Sequence, residues 1–486
     1  MIAHPHFVFR AALALAIAAP AAHAVNLNPH GDGQVLIWPY YTANAGHNTL
    51  LSVVNDSAQA KALKLRFHEG VNGRVVFSAN LYLDAGDMWT GGVFAADDGT
   101  AALVTDDPSC TVPDLRNDAT LPVLGDGRRY AKFSTADYTG ARADGGPAGA
   151  ARTREGHVEL FEMGKMAGPS AEAANMIYGE NTRPADCARL VAAWQPGGYW
   201  RADARTDVAA PAGGLVGNAT IVNVARGSVL GIAATALDGF SVRSQHTAPN
   251  DAHPNLADAV TNELTGVASA FVPDGTRMLR ADYPVARAID AVSAVLATPY
   301  HLGETIKSDD GEARTEWVLA APTKRFYVDA ALGHAALGQA PFSQTFGTPA
   351  AGRACRSNVD NTYAAFATDR NAEPTFDFPT PAPQSMLCYD TTVVTTSGAA
   401  DAPSPLFGSA NANGEYAFDV GYLKLTWRNA SVRPATGGEV FAGLPVIGVR
   451  ATNWFNGNVT PGVLANYAIA LPLRTASECA KDGGDC

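Results

Sequence analysis

The chain has 486 residues, of which 47% are hydrophobic and 17% charged. This composition supports ordinary hydrophobic cores and excludes a generally disordered chain. With 35 basic and 47 acidic residues, the formal net charge is −12, which argues against nucleic acid and anionic lipid as partners.

The first 24 residues are predicted to form a cleavable secretory signal peptide. Arg10 is the only charged residue there, residues 11–19 form a short apolar run that Pro20 breaks, and residues 22–24 (AHA) supply the small residues of a cleavage site. The alternative is a membrane anchor, but a spanning helix needs about 20 apolar residues. The mature protein is therefore expected in the periplasm, at the cell surface or outside the cell, without a membrane span. Without Arg10 its formal net charge is −13.

Most of the remaining sequence alternates apolar and polar residues, which is typical of antiparallel strands with one buried face. In KALKLRFHE (61–69), the apolar positions 63, 65 and 67 are predicted to face the core, and Lys64, Arg66 and His68 the solvent. GHVELFEMG (156–164) repeats the pattern, with His157 and Glu159 facing the solvent. Further strands are predicted at 35–41, 49–55, 74–83, 88–94, 130–133, 218–224, 229–237, 316–319, 325–329, 422–427 and 445–452.

Short strands at about ten-residue spacing predict a mainly β fold built from immunoglobulin-like antiparallel β-sandwich modules. A few short helices are expected, at 187–194, 255–271 and 285–296. The last two are predicted to form a helical pair (255–296) that covers a sheet.

A domain boundary is predicted near residue 205. It separates a β-sandwich domain (25–205) from a second β-rich domain (206–486) that holds the helical pair. Residues 136–151 and 367–415 are rich in small and polar residues and in proline or glycine, so they are expected to be loop excursions.

Six cysteines occur, none in a CxxC motif, and in an exported protein an even number of this kind indicates disulfides. Six cysteines allow 15 pairings, and the sequence does not choose among them. Closeness along the chain favours three pairs: Cys110 with Cys187, Cys355 with Cys388, and Cys479 with Cys486.

Scattered blocks across most of the mature chain resemble a family of exported proteobacterial β-rich proteins that has no established activity. The resemblance implies export and a single co-evolved unit, and it supplies no catalytic residues. The blocks are WPYYT (38–42), TLLSVVN (49–55), RTREGHVELFEMG (152–164), CARLVAAW with GGYW (187–200), GGLVGNATIVNV (213–224), AVSAVL (291–296), TEWVLAAPTKRFYVD (315–329), GLPVIGVRATNW (443–454) and GVLANY (462–467).

Common catalytic and cofactor motifs are missing from the sequence. There is no GxSxG nucleophile elbow, and no GxxxxGK[ST] or GxGxxG follows a strand. The pair His68-Glu69 continues as Gly70-Val71-Asn72, so the second histidine of an HExxH zinc peptidase is missing. His68 is instead predicted to be a solvent-facing residue of an amphipathic strand.

Two polar regions offer candidate metal ligands. His246 and His253, with Asp251 between them, lie in the loop QHTAPNDAHP. Asp309, Asp310 and Asp360 offer oxygen ligands for calcium, although neither segment matches an EF-hand loop. In each case the alternative is a solvated loop, and apart from calcium no cofactor is expected.

Aromatic residues offer the remaining candidate site, a platform on which sugar rings stack. Its members are Trp38, Tyr40, Trp89 and Trp200. The alternative is that these rings belong to the core, which is the commoner place for aromatic side chains.

Three functions remain open. The favoured one is an exported, non-enzymatic surface or extracellular protein with a structural, adhesive or ligand-binding role, whose partners are other surface proteins or carbohydrate. The alternative is an exported polysaccharide hydrolase with an unrecognised pair of carboxylates. The third is a periplasmic assembly factor. The sequence leaves the oligomeric state open.

Overall fold

The structure is a computed structural model of the full chain. It describes residues 23–308, 313–343, 345, 364–367, 388–395, 404–409, 412–413, 420–427, 430–457, 460–463 and 465–486. Strands account for 44% of the described residues and helices for 12%, which confirms the predicted mainly β class with several antiparallel sheets and few short helices.

The strands, in chain order, are β1 (Val25–Leu27), β2 (Asp32–Gly33), β3 (Val35–Thr42), β4 (Asn48–Asn55), β5 (Lys61–Glu69), β6 (Val75–Leu83), β7 (Met88–Ala95), β8 (Ala101–Val104), β9 (Cys110–Val112), β10 (Tyr130–Lys132), β11 (Glu155–Met166), β12 (Met176–Ile177), β13 (Arg183–Pro184), β14 (Val208–Ala209), β15 (Leu215–Asn223), β16 (Ser228–Ala233), β17 (Thr235–Asp238), β18 (Val267–Asp274), β19 (Arg277–Pro284), β20 (Ala297–Thr298), β21 (Tyr300–Ile306), β22 (Ala313–Ala320), β23 (Ala364–Ala367), β24 (Thr391–Thr395), β25 (Ala412–Asn413), β26 (Val420–Thr426), β27 (Val440–Phe441), β28 (Leu444–Pro445), β29 (Ile447–Trp454), β30 (Tyr467–Pro472), β31 (Cys479–Lys481) and β32 (Gly484–Asp485).

The α-helices are α1 (Gly168–Ala174), α2 (Cys187–Ala193), α3 (Tyr199–Ala202), α4 (Ala288–Leu296) and α5 (Lys324–Val328). Short 3₁₀ helices span Gly140–Arg142, Ala150–Arg154, Leu256–Asp258, Val285–Arg287 and Ala330–Leu332. No helix of the described residues is long and apolar enough to cross a membrane.

Two large sheets form a sandwich. Sheet I has ten strands, in the order β19-β18-β1-β17-β3-β11-β5-β6-β9, with β14 added to β11. Sheet II has seven strands, in the order β10-β8-β7-β4-β15-β16, with β2 added to β15. Alternate residues of both sheets meet in one buried core, as period-two strands require. Leu36, Leu65, Val53 and Ile221 are examples, two from each sheet.

The predicted domain boundary near residue 205 does not separate two units. β15, which follows it, pairs along its whole length with β4, and β17 pairs with β3. Strands from both sides of the boundary therefore complete the same two sheets, and the sandwich extends at least to Pro284 of β19.

The strand β1 occupies an interior position in sheet I. It pairs antiparallel with β17 and parallel with β18. Ala24 and Val25 are buried, and the backbone of Gly239 (φ 63°) runs so close that an added Cβ would lie 2.2 Å from the Ala24 carbonyl oxygen. The first residues after the predicted cleavage site are thus an integral part of the sheet.

The second half of the chain adds smaller sheets. Sheet III has the order β25-β24-β22-β29-β30, and a three-stranded sheet has the order β21-β26-β23. Val318, Val393 and Val449 of sheet III belong to the sandwich core. α4 belongs to a second core on the other face of sheet I, with Ile289 and Val292 buried beside Val35 of β3.

The helix predictions had mixed outcomes. The prediction at 187–194 is confirmed by α2, and that at 285–296 by a 3₁₀ turn followed by α4. The helix predicted at 255–271 is wrong, because only a 3₁₀ turn forms there before β18 begins at Val267. The helical pair is therefore absent. Conversely, the strand predicted at 325–329 is wrong, since that segment lies in α5.

The described part of the predicted excursion 367–415 contains sheet strands. β24 pairs with β22, and β25 pairs with β24. The other residues of that excursion mostly lie outside the described residues.

Two disulfides link described residues: Cys110–Cys187 and Cys479–Cys486. Both are pairings that closeness along the chain favours. Cys110–Cys187 joins β9, at the edge of sheet I, to the start of α2. Cys388 is also disulfide-bonded, and Cys355 lies outside the described residues.

Candidate functional site: a buried histidine and carboxylate cluster

The two histidines predicted as candidate metal ligands in the loop 245–254 do not come together. His246 is buried, with Nδ1 2.6 Å from the Ala204 carbonyl oxygen and Nε2 3.1 Å from the Tyr82 hydroxyl. His253 is exposed and contacts Asp258 at 2.7 Å. Asp251 accepts a hydrogen bond from Arg66 through its backbone carbonyl. These candidate ligands therefore do not share a site in this loop.

The predicted calcium ligands are in two other segments of the chain. Asp309, Asp310 and Asp360 lie outside the described residues. Calcium binding at these positions stays a prediction.

The predicted aromatic platform does not form. Trp38, Tyr40, Trp89 and Trp200 are all buried, with at most 1% of their surface exposed. The indole of Trp38 lies over Gly217 of β15, where an added Cβ would be 2.2 Å from its ring. Trp89 lies in the same way over Gly91. Both rings are core residues that fill the space above a glycine, Trp38 in the opposite sheet and Trp89 two residues along its own strand.

The packing of Trp38 leads to a testable expectation. Gly217→Ala should destabilise the protein by about 1–3 kcal/mol, because the added methyl group overpacks the sandwich core. Gly231→Ala in the neighbouring strand β16 is a matched control, since its Cβ would meet no atom within 4 Å. Urea unfolding of both variants checks this; equal unfolding midpoints would contradict the described packing.

The polar faces of β5 and β11 are buried. Lys64, Arg66 and His68 of β5, and His157 and Glu159 of β11, are at most 1% exposed. The prediction that these residues face solvent is wrong. The register places His157 opposite His68, and Glu159 opposite Arg66, on one face of sheet I.

One part of this polar face is covered by residues 245–258, here called the cover loop. Its backbone carbonyls accept hydrogen bonds from the sheet: Ala248 from Lys64 at 2.5 Å, and Pro254 and Asp251 from Arg66. The carbonyls supply the acceptors that buried cations require. The cover loop, whose sequence suggests a solvated loop, therefore covers buried charged side chains.

The other part holds a cluster of four ionisable side chains, here called the His–Glu cluster: His68, His157, Glu159 and Asp390. The two imidazole rings are parallel, with an interplanar angle of 3° and centroids 4.6 Å apart. Glu159 Oε2 lies 3.1 Å from His68 Nε2, and Oε1 lies 3.4 Å from His157 Nε2. His157 Nδ1 lies 2.7 Å from Asp390 Oδ2.

Backbone contacts hold Asp390 in the cluster. Its N–H donates to the Val71 carbonyl at 3.0 Å, and the next N–H, of Thr391, donates to Gly70 at 2.9 Å. Gly73, in the turn between β5 and β6, has φ 72°, and an added Cβ there would lie 2.7 Å from Asp390 Oδ1. The Gly73 carbonyl oxygen lies 3.0 Å from His68 Nδ1. The turn therefore makes room for Asp390 and also orients His68.

Burial and neighbouring charges shift these groups in opposite directions. Burial lowers the pKa of His68 to about 4. Burial alone would also lower the pKa of His157. The nearby carboxyl groups of Asp390 and Glu159 outweigh this effect and raise the pKa to about 9. Burial alone would raise the pKa of Glu159, yet the two histidines and Arg325 hold it well below its ordinary value. Asp390 and Glu159 thus flank the His157 ring, one near each ring nitrogen.

A second buried network adjoins the cluster on the other face of β5. Arg152 donates to Glu69 Oε2 at 2.7 Å and to Oε1 at 3.0 Å, and to Asp144 Oδ1 at 2.9 Å. Glu69 also accepts the backbone N–H groups of Val71 and Arg74, each at 2.8 Å. Arg152 therefore stabilises the same turn that carries Gly73.

Glu316 of β22 is a separate buried carboxyl group. It accepts hydrogen bonds from the Ser404 hydroxyl and from the Leu406 N–H. Burial nevertheless raises its pKa from 4.5 to about 7. The folded state therefore binds a proton between these values that the unfolded state has released, so folding stability falls as the pH rises through this range.

Glu316→Gln should remove this dependence. A glutamine imitates the protonated carboxyl group, so the variant should gain up to roughly 3 kcal/mol relative to wild type at pH 8 and nearly nothing at pH 4.5. Unfolding free energies of both proteins across this range measure the difference. A constant difference at all pH values would show that Glu316 does not titrate in this window.

Sequence reasoning missed the His–Glu cluster. The sequence held two complementary patterns. β5 has three basic or imidazole side chains on its polar face, and β11 has an imidazole and a carboxylate on its polar face. Only the pairing of β5 with β11 turns these two patterns into one site.

Comparison with protein-family models, curated proteins and solved structures finds no significant match to this chain. The site must therefore be interpreted from its own geometry.

Proposed function

We propose that the protein is an exported, non-enzymatic structural or binding protein of the periplasm, cell surface or extracellular space. The observation that carries this proposal is the Cys110–Cys187 disulfide. A disulfide that joins a sheet edge to a helix persists in oxidising compartments and is rare in the reducing cytoplasm. The resemblance to a family of exported proteobacterial proteins agrees with this location.

The closure of the His–Glu cluster supports a non-enzymatic role. A general acid or base has to reach a substrate atom within hydrogen-bond distance, directly or through one water. His68, His157 and Glu159 have no exposed surface, and Asp390 has 1%. Groups so placed are suited to stabilising the fold.

Exposed apolar side chains support a binding role. Along β30, an edge strand of sheet III among the described residues, Tyr467, Ile469 and Leu471 are exposed. Apolar side chains at sheet edges provide area for association with another protein. The partner class that fits this surface is another surface protein.

Fractionation of the native organism, with antibody detection and mass spectrometry of thiols, tests this proposal. We expect an oxidised protein, cleaved after residue 24, in the periplasm, surface material or medium. A cytoplasmic, uncleaved protein with free thiols would contradict export. Release of sugars from polysaccharide by the purified protein would contradict the non-enzymatic role and favour the hydrolase.

A further inference from the structure

We propose that His68, His157 and Glu159 form a buried structural site for a first-row divalent metal ion of the Zn²⁺ class. The proposal goes beyond the function above, because it concerns what stabilises the fold and does not depend on where the protein acts. Among the described residues, these three side chains are the one group whose ligand atoms converge, all within 4.8 Å of one another.

The first argument is the hydrogen-bond balance of His68. Its Nδ1 faces the Gly73 carbonyl oxygen at 3.0 Å, and its Nε2 faces Glu159 Oε2 at 3.1 Å. Both oxygens only accept hydrogen bonds, and a neutral imidazole has a single N–H. With the proton on Nδ1, the Nε2 lone pair points at a carboxylate oxygen. A cation between these two atoms converts that repulsion into ligation.

The second argument is the orientation of the other ligand. His157 Nδ1 lies 2.7 Å from Asp390 Oδ2, so a neutral His157 ring would carry its proton on Nδ1 and present its Nε2 lone pair to a metal ion, which replaces the second proton. Metal-ligating histidines are commonly held in this way, with the other ring N–H on a carboxylate or a backbone carbonyl. Here the partner of His157 is a carboxylate, that of Asp390, and the partner of His68 is a backbone carbonyl, that of Gly73.

The third argument is distance and donor type. Metal–ligand bonds of 2.0–2.2 Å in tetrahedral geometry place ligand atoms about 3.4 Å apart. The N–O separations of 3.1 and 3.4 Å in the cluster match this spacing. Two imidazoles and one carboxylate suit zinc and its neighbours better than calcium or magnesium, which prefer oxygen ligands alone. Because imidazole lone pairs lie in the ring plane, binding requires the two parallel rings to tilt towards each other.

The test is metal analysis of the full-length exported protein, purified without chelator and dialysed against micromolar Zn²⁺ and then metal-free buffer. We expect about one equivalent of tightly bound Zn²⁺, a lower unfolding temperature after EDTA, and the visible d–d bands of a tetrahedral site after Co²⁺ substitution. His68→Gln and Glu159→Gln should each abolish stoichiometric binding. Asp390→Asn, which alters only the orienting carboxylate, should weaken zinc affinity roughly 10–100-fold.

His246→Gln is the matched control, because His246 is an equally buried histidine outside the cluster, and this variant should keep its metal. A folded wild-type protein that holds no zinc and shows no shift with EDTA would overturn the proposal, as would equal loss of metal in His246→Gln. If the ligand variants fail to fold, crystals of the wild type settle the question through anomalous scattering at the zinc edge. A peak between His68 and Glu159 supports the site, and a peak elsewhere or none refutes it. None of these outcomes affects the fractionation result.

Discussion

Arg152→Met should destabilise the protein by about 3–5 kcal/mol, because it removes the cation that bridges two buried carboxylates. The Arg152 side chain is 1% exposed, and those of Glu69 and Asp144 are fully buried. Its guanidinium also lies over the Tyr138 ring, 4.2 Å from the centroid. Methionine fills similar space but offers no donor. The free energy of urea unfolding measures the loss.

The matched control is Arg128→Met. Arg128 pairs with Asp126 at 2.6 Å, but both side chains are about half exposed, at 47% and 50%. Water replaces the lost contact there, so we expect no measurable change. Arg152→Lys should fall between wild type and Arg152→Met, because it keeps a charge but loses the two-pronged contacts. Similar stabilities for Arg152→Met and Arg128→Met would show that the buried network contributes little.

Removal of the Cys110–Cys187 disulfide should produce a comparably large loss. Its cysteines are 77 residues apart, and in the chain-entropy model closing such a loop stabilises the folded state by about 4.5 kcal/mol. We therefore expect Cys110→Ala with Cys187→Ala to lower the unfolding midpoint strongly under oxidising conditions. Wild type treated with a reductant should approach the double variant.

The Cys479–Cys486 disulfide provides the comparison. Its cysteines are seven residues apart, so the same model gives about 2.4 kcal/mol. It closes only a short hairpin at the end of the chain, and much of that effect should appear as local fraying of β31 and β32. A larger loss from the 479–486 pair than from the 110–187 pair would contradict the loop-length explanation.

The strands were predictable because their signal is local. The strand predicted at 61–69 is β5 with the same bounds, since side chains of a strand alternate between faces whatever the partner is. The helix predicted at 255–271 failed because helical spacing of apolar residues arose by coincidence. One of them, Leu264, is 98% exposed. The five residues 325–329 are too few for periodicity to distinguish a strand from a helix.

The domain boundary and the site depend on information that no local pattern holds. The composition near residue 205 suggests a linker, yet the pairing of β4 with β15 continues the sandwich beyond it. Alternation shows that β5 has two different faces, but it does not show what covers the polar one. That cover comes from the loop 245–258 and from Asp390, both distant in sequence, so Lys64, Arg66 and His68 appeared to face solvent.

The interior position of β1 has a consequence for the order of folding. Among the described strands, the three residues of β1 are the one link between the β18–β19 hairpin and the rest of sheet I. A chain that emerges N-terminus first presents β1 early, but Asp238, which it contacts, follows Asn26 by 212 residues. Contacts of such long range form slowly. β1 is therefore expected to be among the last strands to find its place, and sheet I stays open between β17 and β18 until then.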